Sequence, residues 1–278
     1  MNLRLATGPV SWGVDFGDEP GRPAWEHVLD GVAAAGYEGT ELGPLGYLGA
    51  DPAGLAARGL ALTGGFVFEP LHDPGARAAV LAQARRVARR VGELGGRHLV
   101  VIDRVSPARS ATAGRSGDAT RLSGARFDAM LDTIDAVAAV ARRAGLQALV
   151  HPHAGTYIEF ADEIARAAEA CPLCVDTGHC AYAGVDPAGL GDLAYLHLKD
   201  LDPARVIRGF WASVRAGAFV PLGQGCVDFG ALLAALEARD FDGWAVVEQD
   251  RVAGAGDPVA DLIASRRFLE GLLSGSVA

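Results

Sequence analysis

Acidic and imidazole side chains gather at the ends of short apolar runs in this 278-residue sequence. His151 and His153 close the run that starts at Leu146, and Asp176 and His179 close the one from Leu173. His197, Lys199 and Asp200 close the run from Leu193, Glu248 and Asp250 the run from Gly243, and Glu41 ends an earlier one. Four of the seven histidines fall in this set, which packing alone does not ask for. Imidazole nitrogens with carboxylate oxygens suit Mn²⁺, Co²⁺, Zn²⁺ or Fe²⁺ better than Mg²⁺ or Ca²⁺, which take oxygen-only shells. One ligand from each of several segments leaves coordination positions open for water and substrate, as catalytic sites do. Each residue also has a plainer reading. Asp176 before Thr-Gly can cap a turn, His197 can be a core histidine bonded to backbone, Lys199 can be a solvated strand end, and Glu41 can pair with an arginine. Glu248 is hardest to explain that way, because a buried carboxylate needs a partner.

The elements that must position these residues follow from periodicity. Short, continuous apolar runs at 3–13, 39–44, 60–68, 98–103, 146–153, 173–179, 193–200 and 243–250 read as strands buried on both faces of a parallel sheet. Between them, apolar residues at helical spacing mark 23–35, a long helix entered at Asp73-Pro74, one through Phe127 and Leu131, then 160–170, 187–190, 229–239 and 258–273. A weaker helical candidate is 51–57. Eight strands, each followed by a helical segment, imply a single-domain (β/α)₈ TIM barrel spanning 1–278. A doubly wound open sheet fits less well, since Gly8-Pro9-Val10-Ser11 is not a G-x-G-x-x-G turn. Two long connections, 104–124 and 201–227, both follow strands and so belong over the C-terminal mouth, where barrel active sites lie.

Asp176-Thr-Gly-His179, His197-Leu-Lys199-Asp200 and Val247-Glu248 resemble the ends of strands 6, 7 and 8 in the xylose isomerase-like barrel superfamily of sugar isomerases and epimerases. A narrower set is similar to its inosose dehydratase branch. That set comprises Ser11-Trp12-Gly13-Val14-Asp15, Gly39-Thr-Glu-Leu-Gly-Pro44, His151-Pro-His-Ala-Gly-Thr156, Pro221-Leu-Gly-Gln-Gly225 and Gly243-Trp-Ala-Val-Val-Glu-Gln-Asp250. The resemblance implies a metal held by Asp176, His197 and Glu248, with His151 standing where the superfamily has a Glu on strand 5. His153 and Glu159 are rivals for that fourth position. The departure removes one of the two carboxylates that epimerases use as paired bases.

The implied activity is a metal-dependent dehydratase acting on an inosose-like keto-polyol through an enolate, with Mn²⁺ or Co²⁺ as the expected ion and Zn²⁺ or Fe²⁺ as alternatives. Glu248 or a strand 5 histidine, His153 among them, would take the proton next to the carbonyl. His179 or Lys199 would protonate the departing hydroxyl. Trp12, Glu41, His153, Glu159, His179 and Lys199 would shape the polyol pocket, with Phe210, Trp211 and Phe219 as apolar cover. An isomerase or epimerase on the same site, and a non-catalytic sugar-binding barrel, are the alternatives. Dimers and tetramers are frequent among such families, so a homo-oligomer is compatible with the resemblance.

Composition limits the other classes. A balance of 25 basic against 34 acidic residues gives a net charge of −9, which disfavours nucleic acid, an apurinic endonuclease activity and anionic membranes. No apolar run approaches the ~20 residues that span a bilayer. Met1 to Pro9 lacks a basic head followed by an apolar stretch, so the expected location is cytoplasmic. Four cysteines in a chain of this length do not make a disulfide framework. Cys171 and Cys174 have C-x-x-C spacing but no second such pair, so redox or structural zinc roles are secondary to packing. Gly223-Gln-Gly225 is too short a signal to stand as a phosphate cradle.

Overall fold

The apolar runs become the staves of a closed parallel barrel in the computed structural model, which describes residues 1–15, 21–49, 53–191 and 193–275. The staves are β1 (Asn2–Thr7), β2 (Gly39–Thr40), β3 (Ala61–Leu62 continuing as Gly64–Glu69), β4 (His98–Asp103), β5 (Gln147–Val150), β6 (Leu173–Asp176), β7 (Leu193–Leu198) and β8 (Asp242–Val247). Closure depends on β3. Its first segment pairs with β2 and its second with β4, so one stave joins both neighbours, while β1 pairs with β8 on the far side of the ring. All of these pairings are parallel.

Ten helices cover the ring or cap its mouth among the described residues. They are α1 (Trp25–Ala34), α2 (Ala53–Ala56), α3 (Arg77–Glu93), α4 (Pro107–Thr112), α5 (Gly124–Arg143), α6 (Ala161–Ala170), α7 (Thr177–Ala183), α8 (Phe210–Arg215), α9 (Phe229–Glu237) and α10 (Pro258–Leu273). Three apolar clusters result. The largest lies between staves and outer helices. A second fills the barrel interior with Ala6, Val100, Leu149, Cys174, Tyr195 and Val246. A third, including Tyr182, Phe210 and Phe219, is built by the connections over the mouth. Phe210 and Phe219 are fully buried there, and each such side chain stabilises its loop by about 1.5–3 kcal/mol.

Several expected boundaries move. The run at 3–13 is a strand only to Thr7; Pro9, which has no N–H to give a sheet, starts a 3-10 turn that ends at left-handed Gly13 (φ 74°). The run at 173–179 stops at Asp176, whose Oδ1 accepts the His179 N–H at 2.9 Å and caps α7. The strand expected at 146–153 is four residues long. Asp73 caps a 3-10 turn, Pro74–Ala76, that leads into α3. Of the 51–57 candidate, 53–56 is helical and residues 51 and 52 lie outside the described residues. The connection 104–124 holds α4, and 201–227 holds α8. Asp200–Leu201 and Phe219–Val220 form a small antiparallel pair beneath α8. No described helix is long and apolar enough to cross a membrane.

Candidate active site

A pocket opens at the C-terminal ends of the staves. Its polar wall includes Glu41, His151, His153, Lys199, Glu248 and Asp250; its apolar wall includes Phe66, Phe68, Phe210 and Trp211. His197 also lines it. These seven polar residues are at least nine-tenths buried, while Asp15, which also lines the pocket, is partly exposed. Burial of so many ionisable groups is tolerable only because each has partners.

Asp176 stands at the centre, and its two oxygens divide the work. Oδ1 caps α7, while Oδ2 lies 3.2 Å from Lys199 Nζ, 3.3 Å from His151 Nε2 and 3.8 Å from His197 Nδ1. Burial alone would raise its pKa, but Lys199 and His179 hold the carboxyl well below the usual Asp range. Lys199 Nζ also reaches Glu248 Oε2 at 3.3 Å and Asp250 Oδ1 at 2.8 Å. Burial works against its charge, yet Asp176, Asp250 and Glu248 keep it protonated, with a pKa well above that of free lysine. The Lys199 main chain is pinned to α7 by Thr177 Oγ1, which donates to Lys199 O at 2.6 Å and accepts from Lys199 N at 2.9 Å. Gly178 permits this closeness, since a Cβ there would meet Lys199 Cβ at 2.6 Å.

His197 lies between two carboxylates. Nε2 is 3.0 Å from Glu41 Oε1, and Nδ1 is 3.1 Å from Glu248 Oε2 without hydrogen-bond geometry. Burial opposes charge on His197, but Cys174, Glu248 and Glu41 raise its pKa well above the ordinary value. Glu248, which burial would raise, is instead drawn down to about 2 by His197 and Lys199. His153 and His179 stack with ring centroids 3.8 Å apart; burial, followed by the effect of each one's neighbouring histidine (His151 and His153 respectively), pushes both well below the usual histidine value. His179 Nε2 lies 3.3 Å from Lys199 Nζ and 3.7 Å from Asp250 Oδ2. Burial lifts Asp250 above the usual carboxylate value.

The residues fit a divalent ion. Among the described residues, four trios place donor atoms within 4.8 Å of one another: His151/Cys174/His197, His151/Asp176/His179, His153/His179/Asp250 and Glu41/His197/Glu248. Asp176 Oδ2 and His197 Nδ1 are buried and make no hydrogen bond. A mixed nitrogen and oxygen set with two such uncommitted donors suits a transition ion.

Of the residues expected to shape or cover the pocket, Trp12, Glu159, His179 and Phe219 do not line it; His179 and Phe219 lie behind the wall, His179 against Lys199 and Phe219 against His179. Trp12 is buried against α1, where a Cβ on Gly31 would meet its ring at 2.6 Å. Glu159 turns away from the mouth to Arg109 (3.2 Å) and the Gly114 N–H (2.7 Å). Arg109, fully buried on α4, also forks onto both oxygens of Glu163 at 2.9 Å. This network ties the 104–124 connection to α6, and neither an isolated Arg nor an isolated Glu in the sequence signals it. Asp250, which the pattern had placed at a strand end without a role, is a full member of the site.

In the glycine-rich 221–225 segment the Gly223 and Gly225 N–H groups are turned onto the protein's own Asp200. Oδ2 accepts from Gly223 N (2.9 Å) and Gly225 N (2.8 Å), and Oδ1 accepts from Leu201 N (2.9 Å) and Val227 N (3.0 Å). A side chain on Gly225 would collide with that carboxylate. The segment thereby fixes the hairpin that presents Phe219, whose ring centroid is 5.6 Å from that of His179.

The family model described as "Xylose isomerase-like TIM barrel" matches residues 29–272. The chain belongs to that family. It is 28% identical over 299 aligned residues to an inosose dehydratase of Geobacillus kaustophilus, covering 98% of this chain and 95% of that protein. It is 28% identical to the rhizopine catabolism protein MocC of Rhizobium meliloti, covering 93% of this chain and 85% of that protein. Among solved structures, an IolI protein with a bound zinc atom superposes with a TM-score of 0.76 at 13% identity, covering 98% of each chain. An L-ribulose 3-epimerase superposes with a TM-score of 0.72 at 16% identity, covering 99% of this chain and 95% of that one. The family match confirms the xylose isomerase-like barrel, and the near full-length similarity to inosose dehydratases shows the chain to be an enzyme.

Proposed function

We propose that this enzyme is a divalent-metal-dependent lyase that removes water from an inosose-like keto-polyol. The observation that carries the reading is a buried pair of atoms without a hydrogen bond, Asp176 Oδ2 and His197 Nδ1, gathered with a protonated lysine and two neutral histidines in ring contact at the stave ends. Near full-length similarity to inosose dehydratases supports the substrate class. His151, Asp176, His197 and Glu248 would hold the ion, and the 3.3 Å from His151 Nε2 to Asp176 Oδ2 favours His151 over His153 or Glu159 as the fourth ligand. Mn²⁺ or Co²⁺ suits this set, as do Zn²⁺ and Fe²⁺. When bound, the ion supplies Lewis acidity that polarises the substrate carbonyl.

The chain's own residues supply the proton transfers. His153 Nδ1 is 2.8 Å from the Ala154 carbonyl and donates to it, which leaves Nε2 as an acceptor. That neutral imidazole, with Nε2 free of any hydrogen bond to the chain, is the base for the proton beside the carbonyl, whereas Glu248 Oε2 is engaged by His197 and Lys199. Lys199, protonated and in contact with His179, presents a proton to the departing hydroxyl. Glu41 contributes to the pocket wall, and Phe210 and Trp211 exclude water above it. Mass analysis of the product tests the reading. A lyase converts an inosose into a product lighter by one water; an isomeric product of unchanged mass would replace dehydration with epimerisation or isomerisation.

A further inference from the structure

A line of buried hydrogen bonds runs from the interior of the barrel to His197. Thr63 Oγ1 lies 2.7 Å from Tyr195 Oη, Tyr195 donates to Glu41 Oε1 at 2.8 Å, and the same oxygen faces His197 Nε2 at 3.0 Å. Every member is buried, Tyr195 and Thr63 almost completely. Tyr195 is two residues before His197 on β7, so alternation points both side chains into the barrel, one layer apart. Neither Tyr195 nor Thr63 lines the pocket.

The directions of these bonds are determined by chemistry. A carboxylate oxygen accepts only, so both Tyr195 and His197 must donate to Glu41 Oε1. Tyr195 has one proton, and with that proton on Glu41 its oxygen accepts from Thr63 Oγ1 at 2.7 Å, in preference to the Thr40 carbonyl, which the same Thr63 hydroxyl faces at the longer 3.2 Å. The sequence is therefore Thr63 to Tyr195 to Glu41, with His197 Nε2–H donating from the other side. A proton held on Nε2 makes Nδ1 the coordinating nitrogen, and Nδ1 is the atom that faces Glu248 Oε2 and Asp176 Oδ2 without a hydrogen bond.

We infer that Tyr195 is a positioning residue that acts through Glu41 to lock His197 in the tautomer and orientation that bind the metal ion. Glu41 thereby gains a role behind the metal ligand besides its place in the pocket wall. The inference rests on the metal reading of the site. Partners behind a metal-bound histidine typically set metal affinity by about 10–100-fold, and Tyr195 stands one step further back.

The test titrates metal-free protein with Co²⁺ against a competing chelator, following the visible absorption of the bound ion. Tyr195→Phe, Glu41→Gln and the control Tyr37→Phe are compared with the wild type. Tyr37 is a buried tyrosine far from the mouth whose hydroxyl donates to Leu262 O at 3.0 Å, so it reports the cost of losing such a bond without touching His197. Tyr195→Phe is expected to bind Co²⁺ about tenfold more weakly than wild type, with an altered absorption band. Glu41→Gln, which removes the charge, should weaken binding at least as much, and Tyr37→Phe should match wild type. Wild-type affinity and spectrum in folded Tyr195→Phe would overturn the positioning role while leaving the metal reading intact. Absence of Co²⁺ binding by the wild type would overturn both.

Discussion

Replacing Asp200 with Asn should loosen the roof of the pocket by an amount the structure allows to be worked out. Asp200 is fully buried and each of its oxygens accepts two backbone N–H groups. Asparagine keeps one acceptor oxygen and sets an NH₂ against the other two donors. Two hydrogen bonds to a charged group are lost, at about 1.5–3 kcal/mol each. Gly223 and Gly225 are themselves exposed, so water relieves part of the loss and about 3 kcal/mol is expected. For a domain of this size that lowers Tm by roughly 6–12 °C. Denaturant unfolding and a thermal scan measure it. Asp202→Asn is the control: Asp202 only caps a 3-10 turn through Ala204 N (3.0 Å) and forms an exposed pair with Arg205, worth about 1 kcal/mol or less. An Asp200→Asn protein as stable as the Asp202→Asn protein would refute the claim that the glycine-rich segment folds around that carboxylate.

Other expectations follow from the same physical picture. Arg109→Met leaves Glu159 buried without its cation and Glu163 with Arg121 alone, 2.6 Å away, and should cost about 3 kcal/mol, read by denaturant midpoint; a neutral result would mean the network is dispensable. His98, His151, His153 and His179 all have depressed pKa values, with burial as the leading cause. At these four sites the unfolded chain takes up more protons below about 6.5, so stability of the metal-free protein should fall as pH drops below 6.5; His197, whose pKa is raised, acts with the opposite sign and lets stability decline as the pH rises above 6.5. A midpoint that rises on acidification would contradict this. Lys199→Met should slow dehydration of the keto-polyol by about 10² or more, by single-turnover assay of folded protein; a wild-type rate would remove Lys199 from the proton transfers.

The barrel was legible because its staves are continuous apolar runs separated by amphipathic helices, a pattern that burial on both faces imposes. The ends were less legible, for identifiable reasons. Apolar residues continue past Thr7, but Pro9 cannot give an N–H to the sheet, so the chain turns there. Asp176 was ambiguous between capping and chemistry, and the structure shows that it caps with one oxygen while the other faces the site. Trp12 lay in a segment of the family pattern and Glu159 just beyond one, yet their side chains turn to Gly31 and Arg109. Tyr195 and Arg109 carried no local signal at all, since each acts through partners more than 50 residues away or across the ring.

The central claim is that the strand-end cluster is a metal site, and metal content tests it most directly. Purified protein, soaked with Mn²⁺ and dialysed, should retain about one equivalent of Mn, Co, Zn or Fe, and Glu248→Gln should lose most of it, because Glu248 Oε2 faces both His197 Nδ1 and Lys199. Absence of bound metal in both proteins after soaking would contradict the account and leave a metal-free or purely sugar-binding barrel in its place.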